Sequence, residues 1–191
     1  ETQRSGRSPS VPRVALVGYT NAGKTSLLKQ LTGAGDPQDL LFATLDTTTR
    51  RAWLGPDYDE ATGKGTGEPK TCLVSDTVGF IRKLPHQLVA AFRSTLSEVR
   101  TSDALLVILD ASSPDLRDHL KTVTQTLRTI GCEDDFDAQP RILILNQVDK
   151  ISRPRRLDLA RHFPGAIQMS TRDGLGIDEL KDWLRELMPG P

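Results

Sequence analysis

Gly18-Tyr19-Thr20-Asn21-Ala22-Gly23-Lys24-Thr25 follows the apolar run Arg13–Val17 and leads into SLLKQL, a stretch that suits a helix. The pattern G-x4-G-K-[ST] between a strand and a helix reads as a phosphate loop. Its glycines let the backbone wrap closely round phosphate oxygens. Consecutive N–H groups, backed by a helix N-terminus, stabilise that negative charge. Lys24 is expected to reach the β and γ phosphates. The Thr25 hydroxyl is expected to bind Mg²⁺, a hard cation that prefers oxygen ligands. The bland alternative, a glycine turn that binds nothing, is disfavoured by the strand before it and the helix after it.

Four more short apolar runs lie downstream: Thr71–Ser75, Ala104–Leu109, Arg141–Leu145 and Ala166–Met169. They are rich in Val, Ile and Leu and mostly do not alternate with polar residues, which suits strands buried on both faces. Helical stripes fall between or after them. Leu116, Leu120, Val123, Leu127 and Ile130 share one face, with Ser113 expected as N-cap and Pro114 as first helical residue. Leu88, Phe92, Leu96 and Val99 make a second stripe, and Ile177, Leu180, Leu184 and Leu187 a third. The alternation predicts an α/β phosphate-loop NTPase fold, with a six-stranded, mostly parallel sheet flanked by helices. A sixth strand near Arg51–Leu54 is expected to form a hairpin with Thr71–Ser75, with a flexible tip over 56–69. Lys64 and Lys70 are candidate partner contacts there, although a disordered tip is the simpler reading.

In such sheets ligands bind beyond the carboxyl ends of the strands. The residues just after the five runs are Gly18, Asp76, Asp110, Asn146 and Ser170, each glycine or polar. Asp76-Thr77-Val78-Gly79 fits the third-phosphate side. Asp76 would hold Mg²⁺ through a water, and the Gly79 N–H would bond the γ-phosphate, where no side chain blocks approach. The segment LFATLDTTTR supplies Thr44, Thr47, Thr48 and Thr49. A switch loop needs one threonine on Mg²⁺, and spacing does not select among them.

Asn146-Gln147-Val148-Asp149 resembles the N-K-x-D guanine motif. Asp149 can accept hydrogen bonds from guanine N1 and N2; adenine offers no such pair. An acceptor buried without its donors costs ~1–3 kcal/mol, so the wrong base is rejected. Asn146 would bond both the base and the phosphate loop. A backbone N–H of Ser170-Thr171-Arg172 would meet the guanine O6. Gln147 replaces the usual lysine, so affinity is expected to fall while guanine preference survives. Phe80 stands where many small GTPases carry a water-orienting glutamine. Hydrolysis is therefore expected to be slow or partner-dependent, with catalysis resting on Lys24 and Gly79. His86 is a weaker candidate, since a lone surface histidine is more often inert.

Composition sets outer limits. The 191 residues suit one domain, with 25 basic and 25 acidic side chains in balance. Zero net charge argues against gripping nucleic acid through an overall field, and no DNA partner is expected. Arg50, Arg51, Arg153, Arg155, Arg156 and Arg161 remain local basic candidates, with solvated surface the simpler reading. Cys72 and Cys132 lack metal-ligand spacing, and the pair suits a reducing compartment. No run approaches the ~18 apolar residues of a membrane span. Residues 1–12 read as the remnant of a linker from a longer protein, 13–188 as the nucleotide-binding domain and 189–191 as a tail. A monomer in the cytoplasm, with no membrane contact, is expected.

VALVGYTNAGKTSL, LFATLDTTTR and SDTVGFIRKLPHQLVAAFRSTLSEV resemble the HflX family of ribosome-associated GTPases. GFIRKLPHQL is the most specific of these stretches, and the resemblance covers about residues 11–188. It implies GTP as substrate, GDP as product and Mg²⁺ as cofactor. It also implies a missing N-terminal domain, and a switch acting on the large ribosomal subunit that can split stalled ribosomes. Phe42-Ala43-Thr44-Leu45 matches a related F-T-T-L pattern, which selects Thr44 as the switch ligand and sets Phe42 to Asp46 against the nucleotide. Gln147 and the 56–69 tip depart from the family. A guanine-nucleotide sensor with negligible intrinsic hydrolysis is the alternative, and an ATPase or relaxed nucleotidase is a third reading that Gln147 invites.

Overall fold

The computed structural model describes residues 11–33, 48–58, 65–77, 93–132 and 139–187. Along the chain run β1 (Arg13–Gly18), α1 (Lys24–Thr32), β2 (Thr48–Tyr58), β3 (Gly65–Asp76), α2 (Arg93–Thr101) and β4 (Ala104–Asp110). Then follow α3 (Leu116–Thr129), β5 (Arg141–Asn146), a 3₁₀ turn at Val148–Lys150, α4 (Arg153–His162), β6 (Ile167–Gln168) and α5 (Ile177–Leu187). The sheet order is β2-β3-β1-β4-β5-β6. Among the described strands the β2–β3 pair is antiparallel and the other four pairings are parallel.

The non-alternating apolar runs are explained by two core layers. Val14 and Leu16 of β1 pack with Leu27, Leu28 and Leu31 of α1 and Leu180 and Leu184 of α5. Ala15 and Val17 point to the opposite layer, with Val99 of α2 and Leu116, Val123 and Leu127 of α3. A strand covered on both faces needs an apolar residue at every position, which removes the two-residue alternation. Cys72 lies fully inside the first layer, and burial pushes its thiol pKa up to about 12. Both cysteines are free thiols. No helix among the described residues is long and apolar enough to cross a membrane.

Four expectations change. The hairpin is longer than Arg51–Leu54 with Thr71–Ser75. Its ladder continues through Asp57↔Thr66 to Tyr58↔Gly65, with register shifts around Gly55. Residues 56–69 are therefore largely strand, and only 59–64 within them lie outside the described residues. Lys70 is also committed: its Nζ donates to the Arg185 carbonyl at 3.1 Å, tying β3 to the end of α5. Ser113 does not cap α3, which begins at Leu116 after Asp115. Instead the Ser113 hydroxyl accepts the Asp115 N–H at 3.2 Å, so the Ser-Pro pair closes a turn one step before the helix. The last run, Ala166–Met169, shrinks to the two-residue strand β6, although Met169 N still donates to Leu145 O at 2.9 Å.

Candidate functional site

β1, β3, β4 and β5 end on one edge of the sheet, and the predicted residues gather there. Gly18 closes β1. A side chain at that position would meet the Ile108 carbonyl oxygen 2.3 Å away, so only glycine lets β1 lie this close to β4. Gly23 (φ 95°) is left-handed, and a Cβ there would sit 2.2 Å from Asn146 Nδ2. The site for a side chain is thus filled by the amide of Asn146, which is itself buried and donates to Ala22 O at 2.9 Å. Asn146 thereby ties the turn after β5 to the phosphate loop.

Lys24 opens α1 and is buried, with its Nζ 3.4 Å from both Gly18 O and Tyr19 O. Its pKa is lowered, chiefly because burial disfavours the ammonium, with Asp76 opposing. A phosphate is the natural partner for a cation held in this state. Across the loop, Thr25 Oγ1 donates to Asp76 Oδ2 at 2.6 Å. Burial raises the Asp76 pKa against the Thr25 hydrogen bond and the Lys24 charge. Its other oxygen, Oδ1, is buried with no hydrogen-bond partner among the described residues. An orphaned carboxylate oxygen beside a hydroxyl fits a hard cation or the water on one. Among the described residues no group of three or more His, Cys, Asp or Glu stands ready to hold a metal. The Thr25–Asp76 pair therefore suits a cation completed by phosphate oxygens and water, as Mg²⁺ is.

On the base side, Asp149 Oδ1 lies 3.0 Å from Ser170 Oγ, and Oδ2 lies 3.9 Å from Arg172 Nη1. The Asp149 side chain is 12% exposed, so its oxygens are partly open to a ligand. Thr171 N donates to Asn146 Oδ1 at 3.1 Å, and Gln30 Nε2 donates to Thr171 O at 2.9 Å. The Thr171 N–H is thus spent on Asn146, and the Ser170 N–H on Leu175 O at 3.1 Å, leaving the Arg172 N–H as the segment's candidate for a base oxygen. Gln30 was not foreseen, and nothing in its local sequence marks it.

Five of the residues singled out in the sequence have side chains engaged elsewhere. The Tyr19 ring stacks on His119 of α3, with centroids 3.9 Å apart and planes 10° from parallel. Ala22 and Val148 are buried among apolar side chains, so only their backbones can meet a ligand. The Thr77 hydroxyl donates inward to Leu16 O at 2.5 Å, binding the end of β3 to β1. Asp110, although it ends β4, accepts the Ser112 N–H and hydroxyl at 2.8 and 2.6 Å and serves a turn. Thr20 and Asn21 sit in the loop's crest, with Asn21 left-handed at φ 62°. Phe42, Ala43, Thr44, Leu45, Asp46, Val78, Gly79, Phe80 and His86 lie outside the described residues.

A buried lysine, an acid–hydroxyl pair and an N-x-x-D turn, tied together at the carboxyl edge of this sheet, define a nucleotide-binding domain of the phosphate-loop GTPase class. The family model described as "50S ribosome-binding GTPase" matches residues 13–147, and the chain belongs to that family. It is similar to GTPase HflX of Akkermansia muciniphila, 42% identical over 98% of this chain and 41% of that protein. It is also similar to GTPase HflX of Escherichia coli, 39% identical over 94% of this chain and 39% of that protein. These relatives uphold the resemblance that GFIRKLPHQL suggested, and the chain spans about two fifths of their length. Among solved structures, a GTP-binding protein from Sulfolobus solfataricus in complex with GDP aligns with a TM-score of 0.64. It is 28% identical, covering 93% of this chain and 52% of its own.

Proposed function

We propose that this domain binds GTP with Mg²⁺, hydrolyses it, and acts in the cytoplasm as a switch on the large ribosomal subunit. The observation that carries the nucleotide part is Asn146, whose amide joins the phosphate loop to the base-reading turn. A triphosphate and its base are read together by such an arrangement. Lys24 would lie against the β and γ phosphates and neutralise charge that grows during transfer. Thr25 would exchange its bond to Asp76 for the cation, with Thr44 as the switch ligand and Gly79 on the γ-phosphate. When bound, Mg²⁺ would supply charge neutralisation at the β and γ oxygens. Asp149 would accept the guanine N1 and N2 protons, displacing the longer contact from Arg172.

The ribosomal part is supported by the family's description and by the names of the relatives. It is also favoured by Phe80, which offers no hydrogen bond to an attacking water, so that turnover would need help from a partner. Single-turnover GTP hydrolysis by the full-length protein, with and without large ribosomal subunits, tests it. Slow turnover alone and at least roughly tenfold faster turnover with subunits is expected, a barrier change of about 1.4 kcal/mol. Hydrolysis that is absent in both conditions would sink the enzyme reading.

A further inference from the structure

Two described residues other than glycine hold a left-handed backbone, Asn21 (φ 62°) and Gln147 (φ 65°). They are bonded to each other: Gln147 Nε2 donates to Asn21 O at 2.9 Å. Asn146 Nδ2 holds the next carbonyl, that of Ala22. Adjacent side chains of the base-reading turn thus grip adjacent carbonyls of the phosphate loop. A backbone region that side chains rarely adopt is found on both sides of this contact, so the surrounding structure must enforce it.

Gln147 has a second partner. Its Oε1 accepts from Lys150 Nζ at 2.5 Å. Lys150 ends the 3₁₀ turn, and its backbone N–H donates to Gln147 O at 3.0 Å, so the turn folds the ammonium back over residue 147. The two contacts fix the carboxamide in one sense. If it flipped, its oxygen would face the Asn21 carbonyl oxygen and its NH₂ would face an ammonium, both repulsive. A lysine at 147 would bring a donor and a cation in one side chain. Glutamine brings the donor alone, and the ammonium arrives from three residues further on.

We infer that Lys150 is a positioning residue for nucleotide binding, holding Gln147 on the phosphate loop and restoring the positive charge that Gln147 lacks. The pair does jointly what one lysine does in N-K-x-D. This rests on the base-reading role given to Asn146–Asp149. Lys150 is exposed, so its contribution is screened by solvent and salt and is moderate in size.

The test is the release rate of a fluorescent GDP analogue from the chain, its Lys150→Ala variant and the double variant Gln147→Lys/Lys150→Ala. Lys150→Ala should release roughly three- to tenfold faster at low salt, with the nucleotide-free Tm unchanged. The double variant should return to the parent rate, which a merely structural role for Lys150 would not produce. Unchanged release in Lys150→Ala, or a double variant as fast as the single one, would overturn the assignment. Equal release of GDP and ADP analogues from the parent chain would instead remove the base-reading role on which it stands.

Discussion

Asp149→Asn is expected to weaken GDP binding about 100-fold while improving the binding of xanthosine diphosphate. Asparagine keeps one acceptor for N1–H but places an NH₂ where guanine offers its own N2 donors. The lost N2 hydrogen bond and the donor–donor repulsion that replaces it, at ~1.4 kcal/mol each, give that factor. Xanthine carries an oxygen at the same carbon, so the asparagine NH₂ finds an acceptor there. Ser170 and Asn146 remain in place around position 149, with the Ser170 hydroxyl 3.0 Å from the substituted group's Oδ1 position. Competition of the two diphosphates for the variant measures the ratio. A ratio equal to that of the parent would refute the base-reading role of Asp149.

Lys24→Ala is expected to abolish stabilisation by GTP without unfolding the domain. The ammonium is buried, and burial is the largest cause lowering its pKa, so the nucleotide-free protein carries a desolvation cost for keeping it charged. Removing it relieves that cost, and the nucleotide-free Tm should hold or rise. The same change removes the cation facing the β and γ phosphates. Two charge-assisted contacts of ~1.5–3 kcal/mol each predict GTP affinity lower by roughly 100- to 10,000-fold. Thermal shift with and without GTP and Mg²⁺ reads both effects. A variant stabilised by GTP as strongly as the parent would place the phosphates elsewhere.

Much of this was legible from residue order alone. Strands buried on both faces lose alternation, and Val14 to Val17 with Leu105 to Leu109 show it as unbroken apolar runs. Strand ends then located Gly18, Asp76, Asn146 and Ser170. Helix α4 was not legible, because Leu159 is its single buried residue and no apolar stripe forms. Its arginines read only as a basic patch. In the structure Arg155 pairs with Asp158 at 2.9 Å and Arg156 donates to Val148 O at 3.0 Å, so both have structural partners. The extended hairpin was hidden by its glycines and prolines, which disfavour strand when read locally but are carried by the antiparallel ladder. Contacts between residues distant in sequence, such as Tyr19 with His119 and Gln147 with Asn21, leave no pattern in either segment.

The claim that one guanine nucleotide is read jointly at Lys24, Asn146 and Asp149 is tested most directly by competition of GDP against ADP for the purified chain in Mg²⁺. The geometry at Asp149 predicts that GDP displaces a bound guanine analogue at concentrations at least about 100-fold lower than ADP. Equal displacement would contradict it.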